Sequence, residues 1–255
     1  MQQGVRLDRL RKESARAWAI AWKDMKTYYL TPPSLMFGVL FPIALFFTFT
    51  VGRNLSSLQS LPILLSQTVF WASSTVGPVV IPLERRTKTF DRYLSAPMSL
   101  FSVLLGKTMA GIFFGLLVSI APLLIGIFIF QAGVMNVIAL ALGIILSCFA
   151  FAAMGIMFAS VPTESVGNIM MPLNFVRIPL LFISGVFIPI GELPLIGQVV
   201  ACLSPLTHTL VLVRRGLGVE SFNIPLEASI IALVVTSLLF LYLSFKFHES
   251  IKKRE

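Results

Sequence analysis

Charged residues are scarce in this chain. Only 12% of its 255 residues are charged, whereas 56% are hydrophobic, and the mean hydropathy is +0.90. Soluble domains carry roughly 25% charged residues, and no polar stretch here is long enough to form a separate soluble domain. The composition therefore predicts an all-α polytopic membrane protein with a single transmembrane domain over residues 1–255.

The chain is also poor in residues that carry catalysis or bind metals. Its two cysteines, Cys148 and Cys202, lie in apolar surroundings without the spacing of a zinc site or a disulfide framework, and we interpret them as small buried hydrophobes. Its two histidines, His208 and His248, fall on opposite sides of the predicted membrane and cannot share a metal. HExxH and GxSxG motifs are absent from the sequence. We therefore predict no catalytic residue and no metal site.

The tripeptide Gly106-Lys107-Thr108 resembles the end of a phosphate-binding loop. That motif requires a first glycine at the position of Phe101, and it follows a strand, whereas this tripeptide opens an apolar segment. We interpret Lys107 as a cation whose side chain reaches from the membrane to the interface. No nucleotide or other cofactor is expected to bind this chain itself.

Long apolar segments are plentiful. About 20 apolar residues are needed to cross a bilayer as a helix, and six segments qualify. They lie at 34–52, 62–83, 103–130, 137–161, 168–190 and 228–247.

The basic residues concentrate in three tracts that six spans place on one side of the membrane. The positive-inside rule makes that side the cytoplasm. The termini are therefore predicted to be cytoplasmic in a multi-pass protein of the cell membrane, and the net charge of +9 reflects topology, not nucleic-acid binding. The loops on the opposite side lean acidic. Sixteen of the twenty basic residues lie in these tracts: Arg6, Arg9, Arg11, Lys12, Arg16, Lys23 and Lys26; Arg85, Arg86, Lys88, Arg92 and Lys107; Lys246, Lys252, Lys253 and Arg254.

Residues 1–33 form a separate element. Trp18 and Trp22 are one turn apart and belong to the residue type that prefers the headgroup layer. We expect an amphipathic helix lying on the cytoplasmic leaflet and contacting membrane lipid; a solvated tail is the alternative. The motif Thr31-Pro32-Pro33 ends this helix and turns the chain into the first span. The predicted face recurs at spacings of three and four: Leu7, Leu10, Ser14, Trp18, Ala21, Met25 and Tyr28.

Residues 191–220, after five spans within 34–190, predict two short helices. The apolar run 193–203 would reach about half of a ~30 Å hydrocarbon core. Ser204-Pro205 is a cap and first-turn pair for a second helix, which Gly216 and Gly218 would end. We predict that both helices re-enter from outside, because a seventh span would place the basic C-terminal tail outside.

Several polar residues lie within the predicted spans. Arg177 is near the middle of the fifth span, where an ionisable residue is a functional candidate, and Asn174 lies on the same helical side. Arg177 either faces a translocation path or bonds neighbouring helices or a subunit interface. Gln67 and Ser74 make the second span polar, which fits either a cavity-lining helix or hydrogen bonding between helices.

A charged island over residues 84–97 separates the second and third spans. Its charges alternate with Phe90, Tyr93 and Leu94, a pattern that indicates a helix made to touch another protein.

Two motifs resemble those of ABC transporter permeases of the type-2 exporter class. That family's second loop commonly reads E-R-E-x-G-T-L-E-x-L-x-x-(S/T)-P, followed by G-K. Arg86 and Lys88 depart from the pattern, the second of them at the glycine. A further similarity runs from Ser184 to Arg214 and resembles S-G-x-F-x-P…L-P…N-P-L-T…R. The matching loop positions are Glu84, Arg85, Thr89, Phe90, Asp91, Leu94 and Pro97, followed by Gly106 and Lys107.

The resemblance implies a mechanism. Two permeases, either two copies or a copy and a paralogue, would pair, and each would bind a separate cytoplasmic ATPase that holds ATP and Mg²⁺. The 84–97 helix would carry the ATPase motion to the spans, and this chain would not hydrolyse ATP. An ion-coupled carrier or channel without an ATPase is the alternative, and a membrane enzyme is a third possibility. The implied ATPase-coupling residues are Glu84, Arg85, Thr89, Phe90, Asp91, Tyr93, Leu94 and Pro97.

Overall fold

A computed structural model describes residues 2–50, 57–219 and 222–252, with side chains except those at 2–10, 33, 49, 50, 57, 58, 94 and 252. The chain is 83% helical, and no strand occurs in the described ranges. The all-α prediction is confirmed.

Ten α-helices account for the described fold. A π-helical turn, Met25–Tyr29, follows α1; a second, Ile125–Ile129, extends α5; and a 3₁₀ turn, Ile190–Glu192, precedes α8. The helices are α1 (Gln2–Asp24), α2 (Pro32–Thr50), α3 (Ser57–Arg86), α4 (Thr89–Ser95), α5 (Leu100–Leu124), α6 (Val137–Phe158), α7 (Val166–Ile183), α8 (Leu195–Leu203), α9 (Pro205–Gly216) and α10 (Leu226–Lys252).

Five helices in the described ranges are long and apolar enough to cross a membrane, and two bent helix pairs raise the number to as many as seven. The bent pairs are residues 11–29 with 34–48, at 74°, and α8 with α9, at 77°. A polytopic membrane protein is confirmed, and the predicted six spans fall within this range. The five are Gln59–Arg86, Leu100–Ile129, Val137–Phe158, Val166–Ile183 and Leu226–Ile251.

Helix α3 forms the centre of the molecule and packs against α5, α6 and α9. Phe70 of α3 meets Phe151 of α6 edge to face, with ring centroids 4.8 Å apart. Gly111 lets α5 approach closely, since a Cβ there would lie 2.7 Å from the Cβ of Ala152. Cys148 is buried in this core as predicted, whereas Cys202 is exposed, so the prediction of a buried Cys202 is wrong.

Helix α7 is shorter than the predicted span 168–190. It ends at Ile183, and Gly185 then adopts φ +83°. A left-handed glycine directly after a helix is a common terminating motif because glycine carries no Cβ penalty there. The predicted boundary at 190 is therefore wrong.

The two short helices after α7 are confirmed as α8 and α9. Pro205 occupies the first turn of α9, and Gly218 follows its end with φ +68°. Ser204 stands at the N-cap position, but its side chain makes no capping hydrogen bond. His208 of α9 contacts Ser229 of α10 at 3.3 Å, which links the bent pair to the last helix.

Helix α1 packs one side against the rest of the protein. Ala17, Ile20 and Ala21 are buried, and α1 packs on α5. Trp18 and Trp22 are each 51% exposed, and the Trp18 ring meets Phe113 of α5 edge to face at 5.3 Å. Of the predicted face, Ala21 and Met25 are buried against the protein and Ser14 and Trp18 are exposed, while Leu7 and Leu10 lie outside the described side chains. The contact of this face with membrane lipid stays a prediction.

Candidate coupling site

The charged island is two elements, not the single helix predicted over 84–97. Helix α3 continues to Arg86, Thr87 and Lys88 form a turn, and α4 begins at Thr89. The chain reverses at Lys88, whose φ of 58° lies in the left-handed region. Glu84 and Arg85 therefore belong to the end of α3.

Helix α4 has a buried and an exposed side. Phe90 is only 4% exposed and packs in a cluster with Ile20 and Val103. The Arg85 guanidinium lies 5.3 Å from the Phe90 ring centroid, a distance at which cation–π attraction acts. Asp91 and Arg92 are exposed. The side chain of Leu94, a predicted coupling residue, lies outside the described part.

Four charged residues form a closed ring beside α4, which we call the charge ring: Lys23, Asp24, Glu84 and Lys107. Lys23 Nζ lies 2.7 Å from Asp24 Oδ1, and Lys107 Nζ lies 3.1 Å from Asp24 Oδ2 and 2.5 Å from Glu84 Oε2. Glu84 closes the ring by accepting a hydrogen bond from Lys23. The ring joins α1, α3 and α5 with alternating charges.

Three members of the charge ring are fully buried: Asp24, Glu84 and Lys107. The interpretation of Lys107 as an interfacial, snorkelling cation is therefore wrong, because two carboxylates hold it inside the protein. Buried charges persist in proteins when they are paired, since the pairing offsets their lost hydration. Glu84 is therefore not part of the outer surface.

Lys23 stays charged at the edge of the ring, in α1 and outside the five unbroken spans. Burial by itself lowers the pKa of Lys23, but the Asp24 carboxylate and hydrogen bonds to Asp24, Glu84 and Tyr93 raise it above its usual value. The ring is therefore balanced, with two positive and two negative side chains.

Tyr93 connects α4 to the charge ring. Its hydroxyl oxygen accepts a hydrogen bond from Lys23 Nζ at 3.0 Å. The Tyr93 ring centroid also lies 5.5 Å from Lys23 Nζ and 5.7 Å from Lys107 Nζ. Tyr93 of α4 therefore contacts side chains of both α1 and α5.

The Gly106-Lys107 pair explains how α1 is held. A Cβ at residue 106 would lie 2.6 Å from the carbonyl oxygen of Ala17, so only glycine lets the α1 backbone come this close to α5. Lys107 then pairs with Asp24 two turns along α1. The dipeptide has a packing and ion-pairing role in this fold.

Helix α1 also holds the segment that follows α4. Arg16 Nη1 donates a hydrogen bond of 2.5 Å to the carbonyl oxygen of Pro97. Glu13 accepts hydrogen bonds from Ser102 and from the backbone and hydroxyl groups of Ser99, at the start of α5. The bonds from Ser102 and Ser99 lower the pKa of Glu13 below its usual value.

A cavity of about 310 Å³ lies beneath α4. Arg85 spans one side of it and donates hydrogen bonds to the carbonyl oxygens of Ser160 and Val161. Lys88 lies 3.8 Å from Glu164 across the same space, and Asp91 and His248 complete its charged and polar lining. The loop after α6 and the end of α10 therefore border the same surface as α4.

Arg177 is fully buried and bonds neighbouring side chains. Its guanidinium donates to Asn174 Oδ1 and Thr75 Oγ1, both at 3.3 Å, and lies 5.1 Å from the Trp71 ring centroid. No carboxylate pairs with it among the described residues. Within one chain it makes the interhelical contacts that were one of its two predicted roles.

Gln67 and Ser74 also bond the protein backbone. Gln67 Nε2 donates to the carbonyl oxygen of Pro42 at 2.6 Å and joins α3 to α2. Ser74 donates to the carbonyl oxygen of Phe70 in its own helix. Both side chains are buried within this single chain.

The charge ring and the role of α1 in it were not predicted from the sequence. The available signal was weak: Asp24 is a lone acid between Lys23 and Lys26 in a basic tract. The ring depends on the packing of α1 beside α5, which brings Asp24 to Lys107.

Lys88 supplies a test of the turn before α4. We expect Lys88→Gly to raise the free energy of unfolding by about 0.5–1 kcal/mol, because a left-handed conformation is costly for an L-residue with a Cβ. The gain is not larger because glycine also increases the conformational entropy of the unfolded chain. Glycine is also the residue of the resembled loop pattern here. Thermal unfolding of the purified chain measures the change. The neighbouring helical variant Arg86→Gly should instead destabilise the protein; equal losses in both variants would contradict the interpretation.

The fold defines a class: an all-α, multi-pass membrane protein. A family model described as ABC-2 type transporter matches residues 15–217, and the chain belongs to this family. No curated protein matches the chain significantly. The protein is therefore a permease subunit of an ABC transporter. Permeases of this family are transport proteins, not enzymes.

Proposed function

We propose that this chain is the membrane subunit of an ATP-driven exporter and that α4 docks onto a separate cytoplasmic ATPase. The observation that carries the proposal is the two-sided α4. Its outer side presents Asp91 and Arg92 to solvent, while Phe90 and Tyr93 fasten its inner side to the core and to the charge ring. A short helix held in this way moves as a rigid body, so a displacement on its outer side reaches the core.

The proposal assigns the ATP chemistry to the partner. ATP and Mg²⁺ bind the ATPase, and closure of its dimer moves α4 against α1 and α5. Arg85, Thr89 and Pro97 frame the docking surface around α4. This chain contributes the passage through the cell membrane.

A second permease, either a copy or a paralogue, completes the passage in this proposal. Helix α7 supports this role because Met171, Phe175 and Ile178 leave much of it exposed in the single chain. Arg177 and Asn174 on α7, together with Gln67 and Ser74 on α3, would then lie near the path between the two subunits.

The proposed orientation places both termini and α4 in the cytoplasm, with α8 and α9 re-entering from the opposite side. Cysteines introduced at Gln59 and Asn223, in a chain with both native cysteines replaced, should react with an impermeant maleimide added to intact cells. A cysteine at Thr87 should react only after the membrane is opened. Labelling of Thr87→Cys from outside would overturn this orientation.

Co-expression with a candidate ATPase tests the function itself. The ATPase should co-purify with the chain, and transport across the membrane of liposomes that contain both proteins should require ATP. Transport by the purified chain alone, without ATP, would overturn the proposal in favour of an ion-coupled carrier or a channel.

A further inference from the structure

Helix α1 meets the helix that follows it at a steep angle. Residues 11–29 and 34–48 are bent by 74° relative to each other, and α2 corresponds to the first of the six predicted spans. A helix that joins a membrane-crossing helix at such an angle runs close to the plane of the bilayer. Amphipathic helices in that position lie at the boundary between lipid headgroups and acyl chains.

The exposed side of α1 carries two tryptophans between two cations. Arg11, Trp18, Trp22 and Lys26 recur at spacings of seven and four, so they lie on one side of the helix, and all four are exposed. The Lys26 ammonium lies 5.2 Å from the Trp22 ring centroid, within the range of cation–π attraction. We call these four residues the outer stripe.

The outer stripe turns towards the apolar part of α5. The Trp18 ring meets Phe113 edge to face at 5.3 Å, and Phe113 lies near the middle of the candidate span Leu100–Ile129. Arg16, on the other side of α1, instead reaches the carbonyl oxygen of Pro97, before the start of α5. Since tryptophan prefers the headgroup layer, the outer stripe is the side of α1 that meets the bilayer.

The exposed charges of α1 are all positive among its described side chains. Both described acids are engaged by the protein: Glu13 accepts hydrogen bonds from the start of α5, and Asp24 is buried in the charge ring. Arg11, Lys12 and Lys26 are exposed, and no described carboxylate forms an ion pair with them. Basic residues at a membrane surface attract anionic lipids.

We infer that the outer stripe is a binding site for an anionic phospholipid. The lipid phosphate pairs with Lys26, and the upper part of the acyl chains covers Trp18 and Trp22. The ammonium group of a zwitterionic lipid cancels the charge that Lys26 attracts, and an acidic protein or a nucleic acid has no acyl chain to cover the two indole rings. The site belongs to this chain in a bilayer and does not depend on ATPase docking.

Fluorescence quenching by brominated lipids measures this binding. Trp18→Phe with Trp71→Phe leaves Trp22 as the one tryptophan of a chain that has three. In phosphatidylcholine nanodiscs, acyl-brominated phosphatidylglycerol should bind beside Trp22 about fivefold more strongly than acyl-brominated phosphatidylcholine at the same lipid fraction. Equal quenching by the two lipids would overturn the site. Absence of quenching by both would show that protein covers the stripe and would overturn it too.

The role of Lys26 has a matched control. Lys26→Gln keeps much of the side-chain length but removes the charge, so the preference for phosphatidylglycerol should fall from about fivefold to about twofold or less. Lys246→Gln makes the same change at an exposed position near the C-terminal end of α10, and it should leave the preference unchanged. Equal preferences in the two variants would overturn the assignment of Lys26.

Salt provides a test in the native chain, which stands even if the tryptophan variants fail to fold. Two of its three tryptophans lie on the outer stripe, so the preference for brominated phosphatidylglycerol should appear in the total emission. In about 1 M salt the preference should disappear, because exposed charges are then screened over ~3 Å, while quenching by both lipids should persist. A preference that is unchanged by salt would overturn the electrostatic recognition of the headgroup.

Discussion

Lys107→Met is expected to destabilise the protein by about 3–5 kcal/mol, the range measured when one partner of a buried ion pair is removed. Lys107 is fully buried and contacts both carboxylates of the charge ring. Its loss leaves two buried acids against the single cation Lys23. Since folded proteins are stable by only about 5–15 kcal/mol, this is a large effect.

The free energy of unfolding can be followed through Cys148. This thiol is buried in the core and becomes reactive towards a maleimide dye only when the protein unfolds, provided that the exposed Cys202 is first replaced by alanine. The double variant Lys107→Met with Glu84→Gln removes one charge of each sign and should recover much of the loss. A double-variant effect equal to the sum of the two single effects would show that the residues do not interact.

Lys88→Met is the matched control for Lys107→Met. Its ammonium group lies 3.8 Å from Glu164, but the two side chains are 71% and 58% exposed. Exposed ion pairs contribute about 0–1 kcal/mol. If Lys107→Met costs no more than Lys88→Met, the charge ring does not support the fold.

Asp91→Lys is expected to weaken ATPase association at least about tenfold, which corresponds to about 1.4 kcal/mol. Asp91 is exposed on the outer side of α4, so its reversal leaves folding intact and replaces an attraction at the proposed interface with a repulsion. Co-purification of the ATPase and ATP-driven transport should fall together. Full association and transport in this variant would refute docking at α4.

Two further variants separate docking from transmission. Glu227→Lys reverses a charge at the start of α10, on the opposite side of the proposed membrane, and should change neither association nor transport. Tyr93→Phe keeps the ring but removes the oxygen that accepts the Lys23 hydrogen bond. Association should persist in Tyr93→Phe, while the amount transported per ATP hydrolysed should fall.

Much of the helical layout was predictable from local pattern. The lengths of the apolar segments predicted the long helices, and proline and glycine residues predicted several helix ends. Pro205 opens α9 and Gly218 follows it, as predicted. These features depend on residues close together in the chain, and their backbone preferences hold in almost any surroundings.

The predictions failed where a residue's role depends on a distant neighbour. Lys107 lies 83 positions from Asp24, and Lys23 lies 61 positions from Glu84. Hydropathy alone suggested an exposed Lys107. The packing of α1 on α5 was not predicted for the same reason, since it depends on the close approach of Gly106 to the Ala17 backbone.

The sequence by itself determined that this protein is an α-helical membrane protein with an uneven distribution of charge, because bilayer thickness and the cost of burying charge act on each segment separately. Its motifs also indicated the ABC-2 family. Only the tertiary structure decided that Glu84 and Lys107 are buried together and that α4 is tied to α1 through Tyr93. Each of these depends on which helix faces pack together, and that choice is made by the whole chain at once.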